Sequence, residues 1–373
     1  MKQNELFPKI RFKEFTNAWE QWKIGDMFQV GRGYVVPKKH ISNNKFGEYI
    51  YPIYSSQTIN NGLLGYYNNF LNSNSITWTT DGANAGTVYY RKGRFYATNV
   101  CGILSRKHFI PNLYLALSLS KVAYKHVTKV GNPKLMNNVM SSIELRITLS
   151  IDQQTKISSL FSNLDSLITL HQRKLILLKN TKNRLLEKMF CDEKSEFPSI
   201  RFKEFTNAWE QWKLSDIVQY KSSSMTSKDL IPYGKYDVYD PNRIAGKTNE
   251  SPIEKEYISV VKDGDAGRIR LLPKNTMILS TMEALLASEG SNIEFIYFLL
   301  SNKNDLAKER NGSIIPHIYF RDYGQNLYNI PKSNEQSKIS SLFSNLDSLI
   351  TLHQRKLELL KNIKNTLLEK MFV

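Results

Sequence analysis

A chain of 373 residues has room for two domains of ordinary size, and 41% hydrophobic with 12% aromatic content excludes a disordered polymer. Two distant cysteines, Cys101 and Cys191, make no disulfide framework, no apolar run approaches the ~20 residues of a membrane span, and MKQNELFPKI lacks a signal-peptide core, so a cytoplasmic location and no membrane partner are expected. The formal charge of +17 points to a polyanionic partner, and it is uneven: residues 24–150 carry 14 Lys and Arg against 4 Asp and Glu, whereas residues 214–332 carry 15 against 15.

The first element is an aromatic leader, residues 7–23, with Phe7, Phe12, Phe15, Trp19 and Trp22 inside sixteen positions. Such rings can stack on single-stranded bases, but packing onto a frame is the stronger reading. A strand-rich segment follows. Residues 75–80 and 87–90 are β-branched and aromatic, and the DGANAG run between them suits a hairpin turn needing φ > 0 residues. Glycine backbone there can also approach an anion, but the Lys-Ser/Thr of a nucleotide P-loop is missing. Residues 111–127 have helical periodicity.

Candidate nucleic-acid contacts in this segment are Lys38 and Lys39, Ser56 and Gln57 of the run YSSQT, and Asn84 in the turn. To these are added Arg91, Lys92 and Arg94, which alternate with aromatic residues, and Arg106 with Lys107. Arg and Lys reach phosphates or guanine edges, while Asn and Gln suit adenine.

A long helix comes next. Ile157, Leu164, His171, Leu178 and Leu185 recur every seven residues, and Phe161, Ile168, Leu175, Lys182 and Met189 form a second row four positions on. That is a heptad seam, free of Gly and Pro, with Asp152 as the expected N-cap. Residues 153–190 as a helix would extend roughly 57 Å.

The chain then repeats itself. Residues 7–23 return as 197–213 with only Lys9/Ser199 changed, and 156–190 return as 338–372 with only Ile176/Glu358, Thr181/Ile363 and Arg184/Thr366 changed. The second helix repeats the seam with Ile339, Phe343, Leu346, Ile350, His353, Leu357, Leu360 and Leu367, and Asn334 is its expected N-cap. The two seams are expected to pair with each other, antiparallel, which matches the two-fold symmetry of a DNA duplex. His171, His353, Lys182 and Lys364 read as register-setting residues rather than catalytic ones.

The inserts between the copied blocks diverge but keep landmarks. Tyr257–Val261, the turn DGDAG and the strand beyond it parallel residues 75–90, and residues 237–249 stand where 52–68 stand in the first copy. Residues 293–306 have helical periodicity. Arg243, Lys262, Arg268 and Arg270 are the candidate nucleic-acid contacts of this half. The organisation is therefore residues 1–151, leader plus first domain; 152–190, central helix; 191–333, linker, second leader and second domain; and 334–373, distal helix. The expected fold class is α+β: two strand-rich domains separated by a long antiparallel two-helix coiled coil, with an internal pseudo-two-fold repeat.

Catalytic constellations are missing. Asp240-Pro241-Asn242-Arg243 and Asn132-Pro133-Lys134 are not the Asn/Asp-Pro-Pro-aromatic signature of an amino-methyltransferase, and Asp192-Glu193-Lys194 is a contiguous charged linker rather than a nuclease set. The His and Cys residues lack metal-ligand spacing, so no metal site is expected.

The doubled order of leader, variable domain and long helix, with YSSQT, a strand–glycine turn–strand and DQQTKI or NEQSKI entering each helix, resembles the specificity subunit of type I restriction-modification enzymes over essentially the whole chain. The resemblance implies two target-recognition domains that each bind one half of a split double-stranded DNA sequence, with the paired helices as a ruler and as the docking site of other subunits. It implies two methyltransferase subunits carrying S-adenosylmethionine and methylating adenine N6, and optionally two restriction subunits using ATP and Mg, with no cofactor in this chain. A stand-alone bivalent nucleic-acid-binding regulator and a coiled-coil interaction scaffold are the alternatives.

Overall fold

The computed structural model describes residues 7–192, 195–303, 306, 308–311 and 316–373. Glu193 and Lys194 of the linker, and Asn304 with Asp305 near the end of the expected 293–306 helix, lie outside the described residues. The chain forms two compact units, Met1–Leu170 with Lys356–Val373, and His171–Arg355. The dividing line falls within both long helices rather than at their ends.

In the first unit the leader strand β1 (Glu20–Lys23) pairs antiparallel with β8 (Glu144–Ile147), so the copied leader closes onto the last strand of the insert. The insert itself is a six-stranded sheet in the order β2-β7-β5-β6-β3-β4. Its strands are β2 (Phe28–Arg32), β3 (Tyr51–Tyr54), β4 (Leu63–Tyr67), β5 (Asn72–Thr79), β6 (Val88–Ala97) and β7 (Cys101–Arg106). Short helices α1 (Ile24–Met27), α2 (Leu113–Ala123) and α3 (Asn137–Ser142) accompany it. The Asn112 side chain accepts from Leu115 N and caps α2, while its amide donates to Gln154 in the first turn of the long helix α4 (Ile151–Met189). The core is aromatic: Trp19 meets Tyr114 at 5.7 Å, Tyr114 stacks on Phe372 at 5.7 Å, and Phe372 packs on Phe161 at 5.8 Å. Trp19 of the leader is thus a core residue, 2% exposed.

The second unit repeats this plan. Strand β9 (Glu210–Lys213) pairs with β17 (Leu327–Ile330), and α5 (Leu214–Ile217) follows β9 as α1 follows β1. The insert holds one sheet ordered β10-β16-β13-β14 and another ordered β12-β11-β15. These strands are β10 (Val218–Ser222), β11 (Tyr236–Tyr239), β12 (Ile244–Thr248), β13 (Tyr257–Val261), β14 (Ile269–Leu272), β15 (Thr276–Ile278) and β16 (Met282–Ala287). Pro273 and Asn275, the latter at φ 61°, break into β14 and β15 what is one strand, β6, in the first unit. Asn292 caps α6 (Ile293–Lys303) through Phe295 N, and its own N–H donates to Gln336 in the helix α8 (Ser333–Lys370). Short α7 (Phe320–Tyr323) precedes β17. Trp209, Phe295, Phe190 and Phe343 rebuild the aromatic core at 5.4–6.4 Å.

Each unit contains half of α4 packed on half of α8, and in each the two run antiparallel. In the first unit Phe161 meets Phe372, and Asp165 pairs with Lys364. In the second, Phe190 meets Phe343, Lys182 pairs with Asp347 at 2.6 Å, and His171 Nδ1 lies 2.7 Å from His353 Nδ1. Ile157, Phe161, Leu164, Ile339, Phe343 and Ile350 are buried, and Ile168, Leu175, Leu178, Leu185, Leu346, Leu357, Leu360 and Leu367 half-buried, while positions between the two rows are mostly exposed. Both helices start two residues earlier than the expected N-caps imply, at Ile151 and Ser333. Ser150, not Asp152, stands before the first turn, its hydroxyl accepting from Gln153 N at 3.3 Å, and Asn334 lies inside the first turn of α8, accepting from Glu335 N.

The leaders bind this frame in the same way twice. Ile10 N donates to Lys370 O and Ile200 N to Lys188 O, while Lys156 pairs with Glu14 and Lys338 with Glu204.

Candidate nucleic-acid interface

The turn after the central strand organises the same loop cluster in both inserts. In the first, Gly86 N bonds Thr79 O, Gly82 N bonds Pro133 O, Leu135 N bonds Thr80 O and Thr98 N bonds Tyr54 O. In the second, Gly267 N bonds Val261 O, Gly264 N bonds Pro316 O, Ile318 N bonds Lys262 O and Leu279 N bonds Tyr239 O. Four separate segments, brought together by backbone bonds that do not depend on side-chain identity, therefore meet around each DG turn. That leaves the side chains free to differ.

In the first domain this gathers three of the predicted residues. The Asn84 amide donates to Ser56 O at 3.3 Å, and the Gln57 amide donates to Leu63 O across the base of the same loop. Asp81 of the turn is held by Arg32 at 2.7 Å, a pair the sequence reading missed. Its counterpart Asp263 takes His317 Nδ1 at 2.7 Å. The recurrence of Asp in both DG turns was the available signal.

Arg91 does not belong to a surface strip. It is 5% exposed, its guanidinium sits 3.6 Å from the Tyr54 ring centre and 4.3 Å from Tyr89, and its Nε donates to Thr77 Oγ1 at 3.0 Å. Burial lowers its pKa below the ordinary guanidinium value, with Tyr54 and Cys101 acting in the opposite sense. The same burial pushes the Cys101 thiol up to about 11. Lys92 and Arg94 are exposed, Arg94 over the Phe70 ring at 4.7 Å. Arg94 faces Ser73 on β5, whereas Val88 beside the turn faces Trp78, so Arg94 lies ~17 Å from the loop cluster, five residues along β5 and, through a bulge, six along β6. Arg106 is exposed opposite Phe28 at the far end of β7, and Lys107 donates to Gly25 O at 2.8 Å. Lys38 and Lys39 are exposed on a short 3-10 turn, Lys38–His40.

In the second domain the predicted cations converge more closely but are committed to protein. Arg268 donates to Pro241 O at 2.6 Å and to Asn242 Oδ1 at 2.9 Å, Arg270 to Asp240 O at 3.3 Å and Pro241 O at 3.4 Å, and Lys262 to Ser280 O at 2.9 Å. Arg268 and Arg270 thus shape the 240–243 turn rather than stand free. Arg243, at the tip of that turn, is 84% exposed and only 3.9 Å from Asp240. Among the described residues no cluster of three or more His, Cys, Asp or Glu could hold a metal ion, and no helix is long and apolar enough to cross a membrane.

Two like loop clusters with unlike side chains, each built beside a copied long helix, mark the chain as a duplicated two-domain module. The family model for the type I restriction modification DNA specificity domain matches residues 17–180 and again 207–362, and this chain belongs to that family. A putative type I specificity subunit of Mycoplasma pneumoniae is 27% identical over 332 residues, covering 86% of this chain and 87% of the relative. Another from the same organism is 45% identical over 131 residues, 34% of this chain and 68% of the relative. The crystal structure of the S subunit from M. genitalium aligns with TM-score 0.70 at 18% identity, covering 98% of this chain and 99% of the other. A specificity subunit is the non-catalytic member of its type I system.

Proposed function

We propose that this chain recognises an asymmetric, two-part double-stranded DNA target through its two domains and directs two methyltransferase subunits to it. Those subunits would supply S-adenosylmethionine and methylate adenine N6; restriction subunits, where joined, would supply ATP- and Mg-dependent cleavage. The observation that carries this reading is the loop cluster built twice on the same backbone bonds, with different side chains, on copied helices. Unlike readers on like frames suit unlike half-sites, and a stiff helical spacer suits unread bases between them.

Two equivalent docking points support two copies of one partner. In the first unit Leu167 and Leu170 face outward from the seam, 44% and 46% exposed; in the second, Leu349 and Leu352 occupy the same positions of the copied helix at 43% and 45%. The test is to express the chain with methyltransferase subunits and map methylated adenines, then exchange residues 24–151 for the insert of a relative. One half-site should change and the other persist. A change in both, or in neither, would reject the assignment.

A further inference from the structure

The loop joining β3 to β4 is strained and exposed at its tip and locked at its base. Asn60 and Asn61 take consecutive left-handed conformations (φ 51°, ψ 37° and φ 54°, ψ 33°), and Gly62 follows at φ 84°. Asparagine tolerates that region better than other side-chain-bearing residues, yet two in succession persist only where the surroundings impose them. Their own side chains do not impose it, because both are exposed, as is the neighbouring Ile59 at 74%.

The constraint comes from beneath. Ser55 N donates to Gly62 O at 2.9 Å and closes the loop, Gln57 ties to Leu63 O, and Asn84 of the DG turn ties to Ser56 O. Gly62 is held tightly at φ 84°: a Cβ there would crowd Ser55 O at 3.0 Å, Gln57 O at 3.1 Å and Arg91 Nη2 at 3.3 Å. Under it all is the guanidinium of Arg91, a buried cation stacked on Tyr54 and Tyr89. The second domain supports its 240–243 turn from a different strand position: Arg270, opposite Ser259, lies 5.4 Å from the Tyr239 ring centre and donates to Asp240 O. In the matching strand register the second domain has Leu272, opposite Tyr257 as Arg91 is opposite Ser75, and its turn is shaped by Arg268 and Arg270 instead.

We propose that Ile59, Asn60 and Asn61 form the base-reading tip of the first recognition domain, that the tip recognises A·T pairs in the major groove, and that Arg91 positions it. This rests on the DNA-addressing function above. A carboxamide sets an N–H donor beside a C=O acceptor, so it can donate to adenine N7 and accept from N6–H, and a branched apolar side chain fits the thymine methyl group. The tip carries no charge, so it gains little from phosphates and its contacts are free to discriminate. Ordering the loop before DNA arrives removes an entropy cost that a flexible tip would carry into binding.

The test uses the complex of this chain with its methyltransferase subunits, in cells without other adenine methylation. Methylated motifs are mapped for the wild type, for Asn60→Gly with Asn61→Gly, and for Arg91→Leu. Glycine accommodates the left-handed backbone while removing the carboxamides, at the cost of a freer loop, and leucine is what the second domain places in that register. The glycine variant should lose about ten-fold or more of its preference at one or two A·T positions of the half-site that exchange of residues 24–151 alters, with the other half-site and the melting temperature of the complex unchanged. Arg91→Leu should relax those same positions and no others. An unchanged motif in the glycine variant, or relaxation confined to G·C positions, would overturn the proposal while leaving the bipartite function standing. A wild-type complex without a two-part motif would overturn both.

Discussion

Glu283 shows how much of a recognition domain is spent on its own support. It is 2% exposed on β16, accepts from Tyr323 at 2.7 Å and from Tyr220 at 3.3 Å, and burial raises its pKa above the ordinary carboxylate value despite both donors. A raised folded-state pKa means the folded chain holds the proton more tightly than the unfolded chain. That stability is fully present below the unfolded pKa and is lost as pH rises through the folded one. Glu283→Gln keeps an acceptor for Tyr323 and removes the charge. Its melting temperature relative to wild type should therefore be higher at pH 8 than at pH 5; a gap that shrinks with rising pH would contradict the sign. Arg91 teaches the complementary lesson. Alternating basic and aromatic residues read as a surface strip, yet strand parity puts Arg91 on the face shared with buried Phe95 and Ala97. That parity was present in the sequence, as was Tyr89 two residues earlier on the same strand; Tyr54, which comes from β3 and covers the guanidinium at 3.6 Å, was not.

Among the elements, the helices were the most legible because a seven-residue repeat in a chain without Gly or Pro admits little else. Their antiparallel direction was expected from the two-fold symmetry argument but is fixed by contacts, not by the repeat itself. Lys182 and Lys364 interrupt the apolar rows, and each is met by an aspartate of the other helix, Asp347 and Asp165. Removing the aspartate leaves a half-buried ammonium without its partner, whereas removing the lysine leaves an aspartate that can turn to water. In urea denaturation Asp347→Ala should cost about 1 kcal/mol, and Lys182→Met less than that or nothing. Equal losses would mean the pair is an ordinary surface contact. The strands were legible in type but not in extent: β6 runs through Gly93 at φ 77°, while its counterpart breaks at Pro273. That difference turns one six-stranded sheet into two smaller ones.

For the molecule as a whole, the unequal charge of the two inserts predicts unequal contributions to DNA binding. Lys38, Lys39, Lys92 and Arg94 are exposed cations of the basic insert, and each phosphate contact contributes about 0.9 to the slope of log K against log salt. Replacing all four by Gln should flatten that slope and leave the methylated motif unchanged. Arg91 is excluded from this set because its loss would act through the loop above it. An unchanged slope would remove these residues from the phosphate track. The spacer prediction belongs to the same scale. Seven residues inserted after both Leu175 and Leu357 preserve the heptads and lengthen the frame by ~10 Å, the rise of about three base pairs. The unread spacer should grow while both half-sites persist. Unaltered spacing, or loss of all sequence preference, would show that the helices do not measure it.

By itself the sequence determined the duplicated plan, the helical seam and the family, because copied blocks and heptad spacing are one-dimensional patterns that survive without knowledge of what touches what. Tertiary structure alone decided which polar residues remain free to meet DNA. Exposure depends on partners distant in sequence: the carbonyls of Asp240 and Pro241 occupy Arg268 and Arg270, and Tyr54 covers Arg91, across separations that no local pattern records.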